Sequence, residues 1–120
     1  MNDKKAEKYL KEYFSRLFDK RDLSTIDEYL AEDYWDDDIG SHDGDHVRNS
    51  KEYLKKWFEN EPTIKIEIKR VIIEDEIITA YLHWYTDDGR KKETKIKGIG
   101  MFLIENGKIK KRHNYIYYRR

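Results

Sequence analysis

The sequence predicts one α+β domain, with three helices leading into an antiparallel sheet. Two features of the pattern and one of size carry that expectation. Up to about residue 61 the apolar residues recur at three- and four-residue steps, the helical period. From Thr63 onward the period becomes two, and three turn signals cut the remainder into four strands. With 120 residues there is room for one domain, spanning 1–120, around one core.

Taking the elements in order, Ala6, Tyr9, Leu10, Tyr13, Phe14, Leu17 and Phe18 form one apolar stripe on a helix from about Asp3 to Phe18. Asp22 is a cap for a second, short helix that buries Leu23, Ile26, Tyr29 and Leu30. A polar loop from Asp36 to Val47 follows, with one short strand at Tyr34–Asp36. Asn49 and Glu52 make a capping box for a third helix, which carries Tyr53, Leu54, Trp57 and Phe58 on one face and stops before Pro62. Glu74-Asp75-Glu76, Asp88-Gly89 and Asn106-Gly107 are the turns of the sheet, the last two being type I′ hairpin signatures. Alternation through Ile64, Ile66 and Ile68 resumes out of phase at Val71 and Ile73, which predicts a bulge near Lys69-Arg70 and a bent sheet.

Two-residue loops at Asp88-Gly89 and Asn106-Gly107 sort the strands into two faces. One holds Ile78, Ala80, Leu82, Trp84, Lys97, Ile99, Met101, Leu103, Arg112, Asn114 and Ile116. The other holds Thr79, Tyr81, His83, Tyr85, Ile96, Gly98, Gly100, Phe102, Ile109, His113, Tyr115 and Tyr117. A slip of one residue exchanges the faces and would bring His83 and His113 inside.

Composition narrows the classes of function. Charged residues make up 42%, but 25 basic and 25 acidic side chains cancel, giving no general attraction to nucleic acid or an anionic membrane. No apolar run approaches the ~20 residues that span a bilayer, and the start of the chain lacks a signal-peptide pattern, so a cytoplasmic location is expected. There is no cysteine, which removes disulfides, thiol nucleophiles and zinc–thiolate sites.

The order of elements, with "DKRDLSTIDEYLAEDYWDDD", "SKEYLKKWF", "IKRVIIEDEIITAYLHWYTDDG" and "GIGMFLIENGKIKKRHNYIYY", resembles the SnoaL-like branch of the nuclear transport factor 2-like superfamily over nearly the whole chain. The resemblance implies a cone-shaped fold: three N-terminal helices on a curved antiparallel sheet of four strands plus one short strand. It also implies an apolar pocket with a few polar groups at its base; no cofactor is expected. In SnoaL-like cyclases the last strand closes on an Asp that acts as acid and base. Asn114 stands at that position here, which puts the Ile99/Asn114/Ile116 face inside, and an amide carries no proton at neutral pH. The family often has a His shortly after the Tyr that ends the second helical region, where this chain has Asp37 or Asp38 after Tyr34. Cyclase chemistry by the family route is not expected.

The candidate ligand-binding residues are therefore Asn114, Lys97 and Arg112 on the inner sheet face, Trp84, Tyr53, Trp57 and Tyr34 among the aromatics, and Asp38 and His42 in the loop at the pocket mouth. For Lys97 and Arg112 the alternative is a place at the sheet rim, with aliphatic stems on the core and charged heads in water. For the aromatics, Tyr13 included, it is ordinary core packing. The loop from Asp36 to His46 has oxygen and imidazole groups, but their spacing fits neither a calcium loop nor a zinc helix motif, so no metal is expected.

The expected function is binding of a small apolar molecule, with no catalytic residue assigned. The alternatives are a cofactor-independent isomerase or cyclase working by proton transfer, and an interaction protein with a filled core. The aromatic outer face, with Tyr81, His83, Tyr85, Phe102, His113, Tyr115 and Tyr117, is the expected interface of a homodimer.

Overall fold

In the computed structural model, which describes residues 1–38 and 44–120, the chain runs α1 (Asp3–Phe14), α2 (Thr25–Tyr29), β1 (Leu30–Asp36) and α3 (His46–Asn60). Four longer strands follow: β2 (Ile64–Glu74), β3 (Ile77–Asp87), β4 (Lys92–Glu105) and β5 (Lys108–Arg119). The sheet order is β1-β5-β4-β3-β2. β1 runs parallel to β5 and the remaining neighbours are antiparallel, so the sheet is mixed rather than antiparallel throughout.

Asn2 starts α1 by accepting from the Lys5 N–H. The helix widens into one π-helical turn, Ser15–Asp19, which keeps Leu17 and Phe18 on the buried side with Ala6, Leu10, Tyr13 and Phe14. This stripe packs on the concave face of the sheet against Ile64, Ile78, Ala80, Leu82, Phe102, Ile104 and Ile109. Arg21, in the left-handed region at φ 56°, donates from Nη2 to the carbonyls of Pro62 and Ile64 and lies 4.0 Å from the Phe58 ring centre. It fastens the end of the first helical run to the junction of α3 and β2.

The second and third helices differ from expectation at their ends. Asp22 folds a turn by accepting from the Ser24 N–H, and α2 is shorter than its apolar pattern suggests because Leu30 already belongs to β1. Asp45, not Asn49, caps α3 by accepting from the Arg48 N–H at 3.0 Å, so the helix begins earlier and buries His46 and Ser50. Farther along, α3 meets the core through Phe18, whose ring packs edge-on against Trp57 and Phe58.

The registers decide what the sheet presents to the helices. The bulge expected near Lys69-Arg70 is present, with the register shifting between Ile68 and Arg70. The β3–β4 connection closes at Asp87↔Lys92 rather than as a two-residue loop, because Asp88 caps the N–H groups of Arg90 and Lys91. A second insertion, at Lys95, then reverses β4 relative to β3. Gly98, Gly100, Phe102 and Ile104 consequently face inward, and Lys97, Ile99, Met101 and Leu103 face outward, the opposite of the expected assignment. The hairpin at Asn106-Gly107 pairs Ile104 with Ile109 as expected, which turns Ile109 inward. An insertion at Lys110 reverses β5 in turn, so Arg112, Asn114 and Ile116 return to the inner face where the sequence placed them.

Gly98 and Gly100 lie where the bent strands approach most closely. A Cβ on Gly98 would lie 2.8 Å from the Tyr115 carbonyl oxygen, and one on Gly100 would lie 3.1 Å from both Leu82 Cδ1 and Asn114 Oδ1. Because the backbone cannot give way as a side-chain tip can, Gly98→Ala is expected to cost about 1–3 kcal/mol, as overpacking does. Urea unfolding checks this, and an unchanged midpoint would show that β4 and β5 have room to separate.

Candidate functional site

The end of β1 carries the polar floor of the site. Alternation puts Tyr34 and Asp36 on the face that meets the helices, and each is 4% exposed. The Tyr34 hydroxyl donates to Asp36 Oδ2 at 2.7 Å, and the Asp38 N–H donates to Asp36 Oδ1 at 2.9 Å. The N–H of Asp36 donates to Nδ1 of His46, 2.9 Å away. An accepting Nδ1 puts a ring proton of His46 on Nε2. Trp35 covers that imidazole, with the two rings stacked 4.0 Å apart. Asp36 thus ties β1 to the turn after it through its carboxylate and to the first turn of α3 through its backbone N–H.

β5 supplies the opposite half. The backbone N–H of Asn114 donates to Asp38 Oδ2, and Arg112 Nε donates to Asn114 Oδ1 at 3.3 Å. The guanidinium carbon lies 4.9 Å from the Phe102 ring centre and 5.9 Å from that of Phe14. Above the floor is a cavity of about 310 Å³, whose apolar walls include Phe14, Leu17, Leu54, Trp57, Trp84 and Ile116. The face of α3 toward it stays only half-buried at Leu54 and Trp57 because it borders open space instead of packed side chains.

Burial sets the protonation behaviour of this floor. It holds the Tyr34 hydroxyl well above the ordinary tyrosine range, and the charge of Asp36 adds to the effect. Burial also pushes Tyr13 up to about 12, with the nearby Arg112 charge offsetting part of the rise. Asp38 is raised above the usual carboxylate range, again chiefly by burial, and the hydrogen bond from the Asn114 N–H opposes it.

Asn114, Arg112, Trp84, Tyr53, Trp57, Tyr34 and Asp38 all line this cavity. Lys97 does not: the insertion at Lys95 turns it to the other side of the sheet, where its Nζ lies 5.0 Å from the Tyr118 ring centre. His42 lies outside the described residues. Tyr13, weighed with the aromatics but left as core packing, also lines the cavity, and sequence reasoning missed Asp36 and Ser50 as site residues. Asp36 was within reach, since it stands two residues after Tyr34 and so shares its face on a strand. Among the described residues no group of three or more His, Asp or Glu side chains is arranged to hold a metal, and no helix is long and apolar enough to cross a membrane.

A helix-backed curved sheet enclosing an apolar cavity with polar groups at its floor defines a cone-shaped α+β domain of the nuclear transport factor 2-like type. More narrowly, the chain belongs to the SnoaL-like domain family, whose model matches residues 10–112. Solved structures with this fold include TsrD from Streptomyces laurentii, 15% identical, with a TM-score of 0.76 over 97% of this chain and 91% of that one. A candidate polyketide cyclase from Bacillus cereus ATCC 10987 is 18% identical, with a TM-score of 0.72 over 87% and 69% of the two chains. An LEH-like epoxide hydrolase from M. tuberculosis is 15% identical, with a TM-score of 0.69 over 96% and 84%. Identities this low establish the shared fold and leave the reaction unassigned. No curated protein sequence matches the chain.

Proposed function

We propose that this domain binds a small, largely apolar molecule in the cavity between helices and sheet. The observation that carries the reading is the cavity itself: about 310 Å³, walled by aromatic and aliphatic side chains and floored by Asp36, Arg112 and Asn114. Such a combination of apolar wall and few convergent polar groups is what small-molecule sites share. Trp57 and Trp84 line the space, so a bound ring system changes their fluorescence. Titration with 1-aminoanthracene is expected to quench tryptophan emission with micromolar affinity. Leu54→Trp, which fills the cavity from α3, is expected to weaken binding at least about tenfold while the protein stays folded. Equal binding by the variant would place the probe elsewhere and remove the reading.

A proton-transfer role is a second reading, favoured by the position of Asp38 on the cavity wall with its carboxyl raised by burial. A base of this kind works once ionised. Enzyme-dependent α-deuterium exchange in a bound aryl ketone is therefore expected to rise with pH through a point above the ordinary carboxylate range and to vanish in Asp38→Asn. Exchange at the buffer rate at every pH excludes it.

We also propose that two copies pair through the outer sheet face. Tyr81, Met101, Tyr115 and Tyr117 stand exposed there, with Tyr115 at 60% and Tyr117 at 50%. Phe102, expected on this face, is instead turned into the core. Contiguous aromatic surface of this kind is uncommon on a monomer. Light scattering at micromolar concentration is expected to give the mass of two chains, and of one chain for Tyr115→Asp. A single-chain mass for the unaltered protein overturns the pairing.

A further inference from the structure

The hydrogen-bonding capacity left unused in the cavity is lopsided. Its two carboxylates are engaged: Asp36 accepts on both oxygens, from Tyr34 and from the Asp38 N–H, and Asp38 Oδ2 accepts from the Asn114 N–H. Its donors are not. Among the described residues Arg112 spends only Nε, on Asn114, and no carboxylate oxygen lies within 4.0 Å of its guanidinium. The two terminal nitrogens, which form the fork that matches a carboxylate, have no hydrogen-bond partner among the described residues. Arg16 shows the contrast: on the surface it presents both terminal nitrogens to the two oxygens of Glu28. Tyr13, 4% exposed on the same cavity wall, makes no hydrogen bond through its hydroxyl among the described residues, and the Arg112 charge reaches it. Ser50 Oγ, also in the wall, is buried with no hydrogen-bond partner among the described residues.

We propose that the cavity receives a molecule carrying one carboxylate or comparable planar anion, read by the terminal nitrogens of Arg112 with the Tyr13 hydroxyl beside them. This rests on the binding role proposed for the cavity. The apolar body of the ligand lies against Trp57 and Trp84, and Ser50 offers one further hydrogen bond along it. The physical reason is desolvation: an apolar body that displaces water from around a guanidinium leaves a buried charge, which is costly unless an anion takes the water's place. A carboxylate meets the planar fork with two parallel charge-assisted bonds. Among the described residues two carboxylates and two guanidiniums, Asp36, Asp38, Arg112 and Arg119, line the cavity, so the incoming anion does not meet a net negative charge from them.

Three probes with one ring system separate the possibilities: 2-naphthoate, 2-naphthamide and 2-methylnaphthalene, titrated by calorimetry and tryptophan fluorescence at pH 7.5. The carboxylate is expected to bind about tenfold tighter than the amide, in line with a charge-assisted pair replacing a neutral one. Arg112→Gln is expected to erase that preference while the hydrocarbon binds as before, and Arg112→Lys to restore only part of it, since a point charge lacks the fork. Tyr13→Phe, which keeps the ring in the core, is expected to reduce the preference less. If the hydrocarbon binds and the carboxylate binds no tighter than the amide, the anion site is wrong and the cavity remains a binder. If none of the three binds, the binding role itself fails. Should Arg112→Gln not fold, the ranking of the three probes on the unaltered protein still decides.

Discussion

Side chains on a strand alternate between faces, so each single-residue insertion in this sheet reverses everything beyond it. Insertions at Lys69, Lys95, Lys110 and Tyr117 therefore govern which residues meet the helices. They also bend the strands, because the inserted residue adds length to one side of a pair only. The cavity depends on both effects. Had β4 kept the phase of β3, Ile99, Met101 and Leu103 would point inward and occupy the space. With the Lys95 insertion, the inward positions are Ile96, Gly98 and Gly100 before Phe102 closes the core. The two glycines add no volume where β5 approaches, and the side chains of Asn114 and Ile116 pass over them.

The floor is held by one buried group instead of by packing alone. Asp36 is satisfied by a tyrosine hydroxyl and a backbone N–H, and its own N–H is satisfied by His46. The last two of these bonds join segments that hydrophobic burial does not place: the end of β1, the turn after it and the start of α3. A carboxylate buried at this depth is tolerable only with such partners. The same bonds orient Asp38 toward β5, where the Asn114 N–H fixes it, so the polar groups of two strands converge at one end of the cavity.

The local signals were legible. The stripe of α1, the hairpin at Asn106-Gly107 and the bulge at Lys69 each leave a pattern within a few residues, such as the phase slip from Ile68 to Val71. The β4 register was not, and the reason is physical. Ile99, Met101 and Leu103 alternate with Gly98, Gly100 and Phe102, so neither face of that strand reads as the polar one, and the two glycines leave no inward pattern to see. Lys97 was misplaced by that ambiguity, while Arg112 and Asn114 were rightly placed because two reversals cancel. The start of α3 was hidden because its first turns, His46 to Asn49, are mostly polar and look like a continuation of the acidic loop. Asp36 was lost among three successive aspartates, of which the first and the third share the parity of Tyr34, and the third is the one that the sequence reading chose.

The most consequential residue for the chemistry of the cavity is Asn114. At this position the SnoaL-like cyclases that the sequence resembles place a carboxylic acid. An aspartate there would stand where Asn114 Oδ1 already receives Arg112 Nε, and would neutralise the guanidinium by direct contact. The amide accepts the same hydrogen bond without supplying the charge. Acidic groups are still present, but they come from β1 and its following turn: both Asp36 oxygens and Asp38 Oδ2 accept from Tyr34 or backbone N–H groups, and Asp38 Oδ1 lies 3.9 Å from His113 Nδ1. Replacing acid by amide thus does two things at once. It removes a proton-carrying group from β5, and it leaves a half-buried arginine on an apolar cavity with no carboxylate in direct contact among the described residues. Both favour a site that holds an anion over one that repeats the cyclase reaction.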